Sequence, residues 1–140
     1  MKKLYILLSF LFLFNCENDN TINNCNFLLD VGVNVTLNLN LPSFNPLRFT
    51  GNVAFVPNQR NFGIYVINTG SGYRAWDAGD PNVAPSSCTF LERDGVEVMS
   101  TCDDVNKYNL FTGLAVDEQL PCPLLEYRVT QSGDNLTITN

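Results

Sequence analysis

Between Val31 and Leu41 apolar and short or polar residues alternate without a break. Val31, Val33, Val35, Leu37, Leu39 and Leu41 fall on one side, and Gly32, Asn34, Thr36, Asn38 and Asn40 on the other. That is the two-residue period of a half-buried strand. No segment of the 140 residues shows a convincing helical period, and nothing repeats. Pro42 ends the long strand, and 42–50 reads as loop with Phe44 and Leu47 turned inward. Short β-prone runs follow at 53–56, 62–67 and 73–76, the last two joined by a turn at Thr69–Gly72. The stretch 77–87 is loop by composition. Residues 90–92 and 96–99 flank Arg93-Asp94-Gly95, and Asp-Gly is a strong hairpin signal. After a short loop at 103–106, runs at 108–111, 124–130 and 136–138 complete the pattern, with Ser132-Gly133-Asp134 as the final turn. Eight to ten short strands predict an all-β fold, a small antiparallel sandwich or barrel.

The N-terminus has a different composition. Lys2 and Lys3 precede an apolar run from Leu4 to Phe14, too short to span a bilayer but suited to a signal-peptide core. The run meets Asn15-Cys16, which resembles the lipobox of bacterial lipoproteins, where the cysteine is lipidated and becomes the new N-terminus. A signal-anchor or a buried core helix is the plainer alternative. The division expected is a signal peptide over 1–15, a polar tether over 16–24 and one β domain over 25–140. Acyl chains on Cys16 would then anchor the protein to the membrane of a bacterial cell envelope, on the periplasmic face or at the outer-membrane surface.

Cys16, Cys25, Cys88, Cys102 and Cys122 are the five cysteines. With Cys16 acylated, four remain, and four allow three pairings. Folding about Asp94-Gly95 sets positions 88 and 102 nearly opposite, favouring Cys88–Cys102 and leaving Cys25 with Cys122. A working redox pair on this spacing is disfavoured, because catalytic dithiols usually sit closer together at a helix start.

Histidine is absent from the chain, which excludes imidazole bases, histidine triads and histidine-rich zinc sites. Eight basic against fourteen acidic residues give −6, and loss of Lys2 and Lys3 with the leader leaves six against fourteen, or −8. Such a chain repels phosphate backbones, so nucleic acid is not an expected partner. No nucleophile–base pair or phosphate loop is present, and no catalytic residues, no metal and no enzymatic activity are expected. Asp77, Asp80, Asp103 and Asp104 would crowd together if their loops share one end of the domain. Calcium is conceivable there, with solvated loop carboxylates as the commoner reading. Tyr73, Trp76, Tyr108 and Phe111 could make a ligand-facing patch, but aromatics on strands of a small β domain are more often core. Asn34 and Asn135 begin glycosylation sequons that read as ordinary polar strand positions.

In order and spacing, several stretches together resemble the Rieske-like lipoproteins of the Bacteroidetes, the flavobacterial type. They are Leu41-Pro42 after the long strand, Leu47–Asn52, Tyr73-Arg74-Ala75-Trp76-Asp77, Lys107–Gly113 and Pro123–Val129. The resemblance implies a Rieske architecture with a [2Fe–2S] centre held by one cysteine and one histidine from each of two loops. Here the corresponding positions are Asp80 and Val83 in the first loop, and Cys102 and Val105 in the second, with Asp104 at the last position on a shifted alignment. Both imidazoles are missing, valine has no lone pair, and a carboxylate suits a sulfide-bridged iron poorly. The expectation is a retained scaffold with degenerate ligands and no cofactor, a Cys88–Cys102 disulfide holding the loop end, and a binding or structural role with a protein partner at the loop tip. The alternative is a Rieske-type electron-transfer protein with unorthodox ligands.

Overall fold

The computed structural model describes residues 25–30, 32–117 and 119–140. Residues 1–24, with the expected leader and tether and Cys16, lie outside the described residues, as does Val31 at the head of the long alternation. Among the described residues nine strands form: β1 Asn34–Asn38, β2 Val53–Val56, β3 Ile64–Asn68, β4 Tyr73–Asp77, β5 Leu91–Asp94, β6 Glu97–Ser100, β7 Lys107–Asn109, β8 Glu126–Ser132 and β9 Asn135–Thr139. All pair antiparallel. One sheet has the order β1-β9-β8-β4-β3-β2, and a smaller one β5-β6-β7. The all-β antiparallel reading holds.

β1 is shorter than its pattern. It pairs with β9 from Asn34↔Thr139 to Asn38↔Asn135, and there β9 ends in the turn at Gly133. Leu39 to Leu41 have no partner strand left, so the chain turns. Leu39 stays buried, whereas Leu41 is exposed. The stretch read as loop contains a 3-10 helix, Asn45–Arg48, which buries Leu47 completely. The β5–β6 turn falls at Gly95-Val96, one residue later than the Asp94-Gly95 reading, because Asp94 pairs with Glu97. Gly95 takes the left-handed backbone there, φ +62°.

β3 carries the architecture. All five of its residues are buried. Ile64 and Val66 feed a core with Leu37, Leu47, Ala75, Tyr127, Leu136 and Ile138. Tyr65 and Ile67 point the other way, to Trp76, Leu91, Val98, Tyr108 and Leu110. Opposite faces of one strand thus wall two cores, as the unbroken apolar run from Ile64 to Ile67 allows. Trp76 and Tyr108 belong to the second core with Phe111 packed against it, while Tyr73 packs against the first. The four therefore do not form one ligand-facing patch.

Two disulfides close the structure. Cys25 joins Cys122 across 97 residues and Cys88 joins Cys102 across 14. In the chain-entropy model they stabilise by about 4.7 and about 3 kcal/mol respectively. They place the chain in an oxidising, non-cytoplasmic compartment. No helix among the described residues is long and apolar enough to cross a membrane.

Candidate functional site at the loop tip

Two loops meet at one end of the smaller sheet. The first follows β4 and runs from Asp80 to Thr89. The second joins β6 to β7. Cys88–Cys102 ties them together, and the Thr101 N–H adds a bond to the Cys88 carbonyl at 3.3 Å. The first loop is shaped from within by Thr89, whose hydroxyl accepts from the Ser86 N–H at 2.9 Å and donates to the Ala84 carbonyl at 3.1 Å. Ser100 does the same for the second, donating to the Asp104 carbonyl and accepting from the Asn106 N–H.

Beneath the loops lies a buried carboxylate. Asp80 Oδ1 accepts from the Tyr108 hydroxyl at 2.6 Å and from the Asn82 N–H at 2.9 Å, and Oδ2 accepts from Asn106 Nδ2 at 2.9 Å. Asn82 extends the network: its Nδ2 donates to the Tyr108 oxygen at 2.8 Å and to the Cys122 carbonyl at 2.7 Å, while its Oδ1 accepts from the Cys122 N–H at 3.1 Å. Burial, reinforced by the adjoining Asp80, raises the Tyr108 phenol far above its ordinary range. Three residues upstream, Asp77 accepts from the Tyr127 hydroxyl at 2.7 Å, Asn61 Nδ2 at 2.9 Å and the Gly79 N–H at 2.9 Å. Burial raises the Asp77 carboxyl, and these three bonds oppose the rise.

The expected crowding of four aspartates therefore does not occur. Asp77 and Asp80 are fully buried and turned into separate networks, while Asp103 and Asp104 face solvent. No group of three or more Cys, Asp or Glu residues placed to hold a metal ion occurs among the described residues. Buried carboxylates need donors, and each of the inner two found three.

Above the network opens a cleft of about 530 Å³. Asn82 and Val83 line it from the first loop, Asp103 to Asn106 from the second, and Leu120 and Pro121 from the segment before Cys122. Val105 is 61% exposed at its lip. An adjoining groove of about 460 Å³ runs from Leu120 and Pro121 to Leu114 and Ala115. Val83 and Val105 stand at the tip, where their spacing in the sequence puts them. Asn82, Asn106, Leu120 and Pro121 join them there without a comparable sequence pattern. The only sequence signal for Asn82 is its place two residues after Asp80, the spacing of an Asx turn.

The four positions do not fit a [2Fe–2S] centre, which needs two thiolates and two imidazoles. Cys102 is bonded to Cys88, Asp80 is engaged by three donors, and both valines lack a lone pair. Nothing in the cleft forms a nucleophile–base pair.

No protein-family model matches the chain, and no curated protein does. Among solved structures, it is similar to a chain of one described as a complex of reduced oxygenase and oxidized ferredoxin in carbazole 1,9a-dioxygenase. The identity is 14% and the TM-score 0.47, over 79% of this chain and 94% of that one.

Proposed function

We propose that this is a lipid-anchored envelope protein whose Rieske-like domain has lost its [2Fe–2S] cluster and uses the loop tip to bind a protein partner. The observation that carries the reading is the donor set at Asp80, Val83, Cys102 and Val105. A disulfide and a hydrogen-bonded carboxylate stand where the resemblance asks for open metal ligands. The tip carries an open cleft that mixes apolar Val83, Val105, Leu120 and Pro121 with polar Asn82, Asp103, Asp104 and Asn106, and an apolar centre with a polar rim suits a protein contact. The anchor rests on the Cys16 resemblance and is consistent with the oxidising compartment that two disulfides require.

Anaerobic purification followed by iron and acid-labile sulfide analysis tests the cluster reading. The expected result is neither element in stoichiometric amount and no visible absorption. One cluster per chain, with a reduced-state EPR signal, would overturn it and restore electron transfer. The anchor is tested separately: Cys16→Ser is expected to release the protein from membranes, and unchanged partition would refute lipidation.

A further inference from the structure

Cys25 is bonded to Cys122, and Cys122 has both its N–H and its carbonyl held by Asn82 of the first tip loop. Pro121, one residue earlier, lines the cleft. The segment that precedes Cys25 therefore joins the domain at its tip. The β8–β9 turn lies elsewhere, since β8 carries the chain about 20 Å from Glu126 to Ser132. Cys16 stands nine positions before Cys25. A lipid on Cys16 thus holds the tip within about 30 Å of the membrane even at full extension.

Charge decides what such a tip can meet there. The grooves that share Leu120 carry Asp103, Asp104 and Asp117 against one ammonium, Lys107. Lys107 is occupied, 3.9 Å from both Glu97 and Asp117. Asp103 and Asp104 make no ion pair with any described residue. Anionic headgroups are repelled by this lip. A polypeptide that interleaves Lys or Arg with aliphatic side chains satisfies both the free carboxylates and the exposed Val105. We infer that the cleft is a membrane-facing docking site for a basic, aliphatic juxtamembrane segment of a protein in the same membrane. This rests on the lipid-anchored, tip-binding reading above.

The test uses the full-length lipidated chain in phosphatidylcholine vesicles, with the photo-crosslinker p-benzoylphenylalanine replacing Val105 or Ser132. Thermal melting confirms that each variant is folded. The probes are a palmitoylated peptide of alternating lysine and leucine and its glutamate–leucine counterpart. Position 105 is expected to crosslink the lysine peptide at least about threefold more than the glutamate peptide, and more than position 132 does. Adding Asp103→Asn with Asp104→Asn is expected to abolish that preference, as is raised salt. Equal yields for the two peptides, equal yields at 105 and 132, or capture of lipid alone at 105 would overturn the inference. Vesicle flotation separates the two layers. A wild-type chain that fails to float defeats the anchor and this inference with it, whereas one that floats without the peptide preference defeats this inference alone.

Discussion

The Tyr108 hydroxyl reaches Asp80 Oδ1 at 2.6 Å with both side chains fully buried, and the pair is duplicated three residues upstream by Tyr127 and Asp77 at 2.7 Å. In each case the carboxylate also takes an asparagine amide and the backbone N–H two residues on. The two carboxylates flank Gly79, which forms an isolated antiparallel bridge to Phe90 just beyond the ends of β4 and β5. A buried carboxylate with three donors is stable only while all three remain.

Tyr108→Phe removes one donor from Asp80 and one acceptor from Asn82. It is expected to cost about 1.5–3 kcal/mol, the range for a hydrogen bond to a charged group, read as a lower urea midpoint. Because Asn82 also holds Cys122, hydrogen exchange at Asn82 and Cys122 should speed up more than at β1 and β9. Uniform acceleration would show that the network does not organise the tip.

Gly113 has φ +75°, and a Cβ built on it falls 2.4 Å from Trp76 Cη2. The indole is pinned on its other side, with Nε1 donating to the Leu110 carbonyl at 2.7 Å and the Arg74 guanidinium 4.3 Å above the ring. Gly113→Ala is expected to destabilise by about 1–3 kcal/mol through overpacking and backbone strain. Trp76 fluorescence should shift with it. An unshifted spectrum and an unchanged melting temperature would refute the contact.

Two carboxylates should titrate stability in opposite directions. Burial raises Asp77 above its ordinary value of 3.8, so its contribution is fully present below that value and is lost as pH rises through the folded-state pKa. Hydrogen bonds from Arg48 and Asn40 lower the exposed Asp134, so its contribution is present above 3.8 and is lost as pH falls through the folded-state pKa. Melting curves from pH 2 to about 7 for wild type, Asp77→Asn and Asp134→Asn check this. The wild-type advantage over Asp134→Asn should shrink towards acid, and that over Asp77→Asn should shrink away from it. Parallel differences for the two variants would be inconsistent with this account.

Removing one disulfide should separate the two cores. Cys88→Ser with Cys102→Ser is expected to lower stability by about 3 kcal/mol and to loosen the cleft loops first. The β1–β9–β8 pairing, anchored in the other core, should keep its exchange protection until global unfolding. Equal loosening of both regions would mean that the smaller sheet is not a separate cooperative unit.

Strand period, turn chemistry and cysteine spacing belong to residues close in sequence, so an all-β chain, its hairpins and the Cys88–Cys102 pair are legible in the amino-acid order itself. The long alternation from Val31 overruns its strand because its end is set by where β9 turns, and no local pattern encodes the length of a partner. The tip is half legible. Val83 and Val105 can be placed by spacing, but the fates of the aspartates cannot. Whether a loop carboxylate faces water or is buried depends on donors that arrive from far along the chain: Tyr108 comes 28 residues after Asp80, and Tyr127 comes 50 after Asp77. The same holds for the cleft, whose third wall at Leu120 and Pro121 is brought in by the bonds between Asn82 and Cys122, 40 residues apart. The amino-acid order alone determined the strands and the missing imidazoles. Tertiary packing decided which polar groups are satisfied inside and which are left facing solvent, because that choice depends on long-range neighbours rather than on residue type.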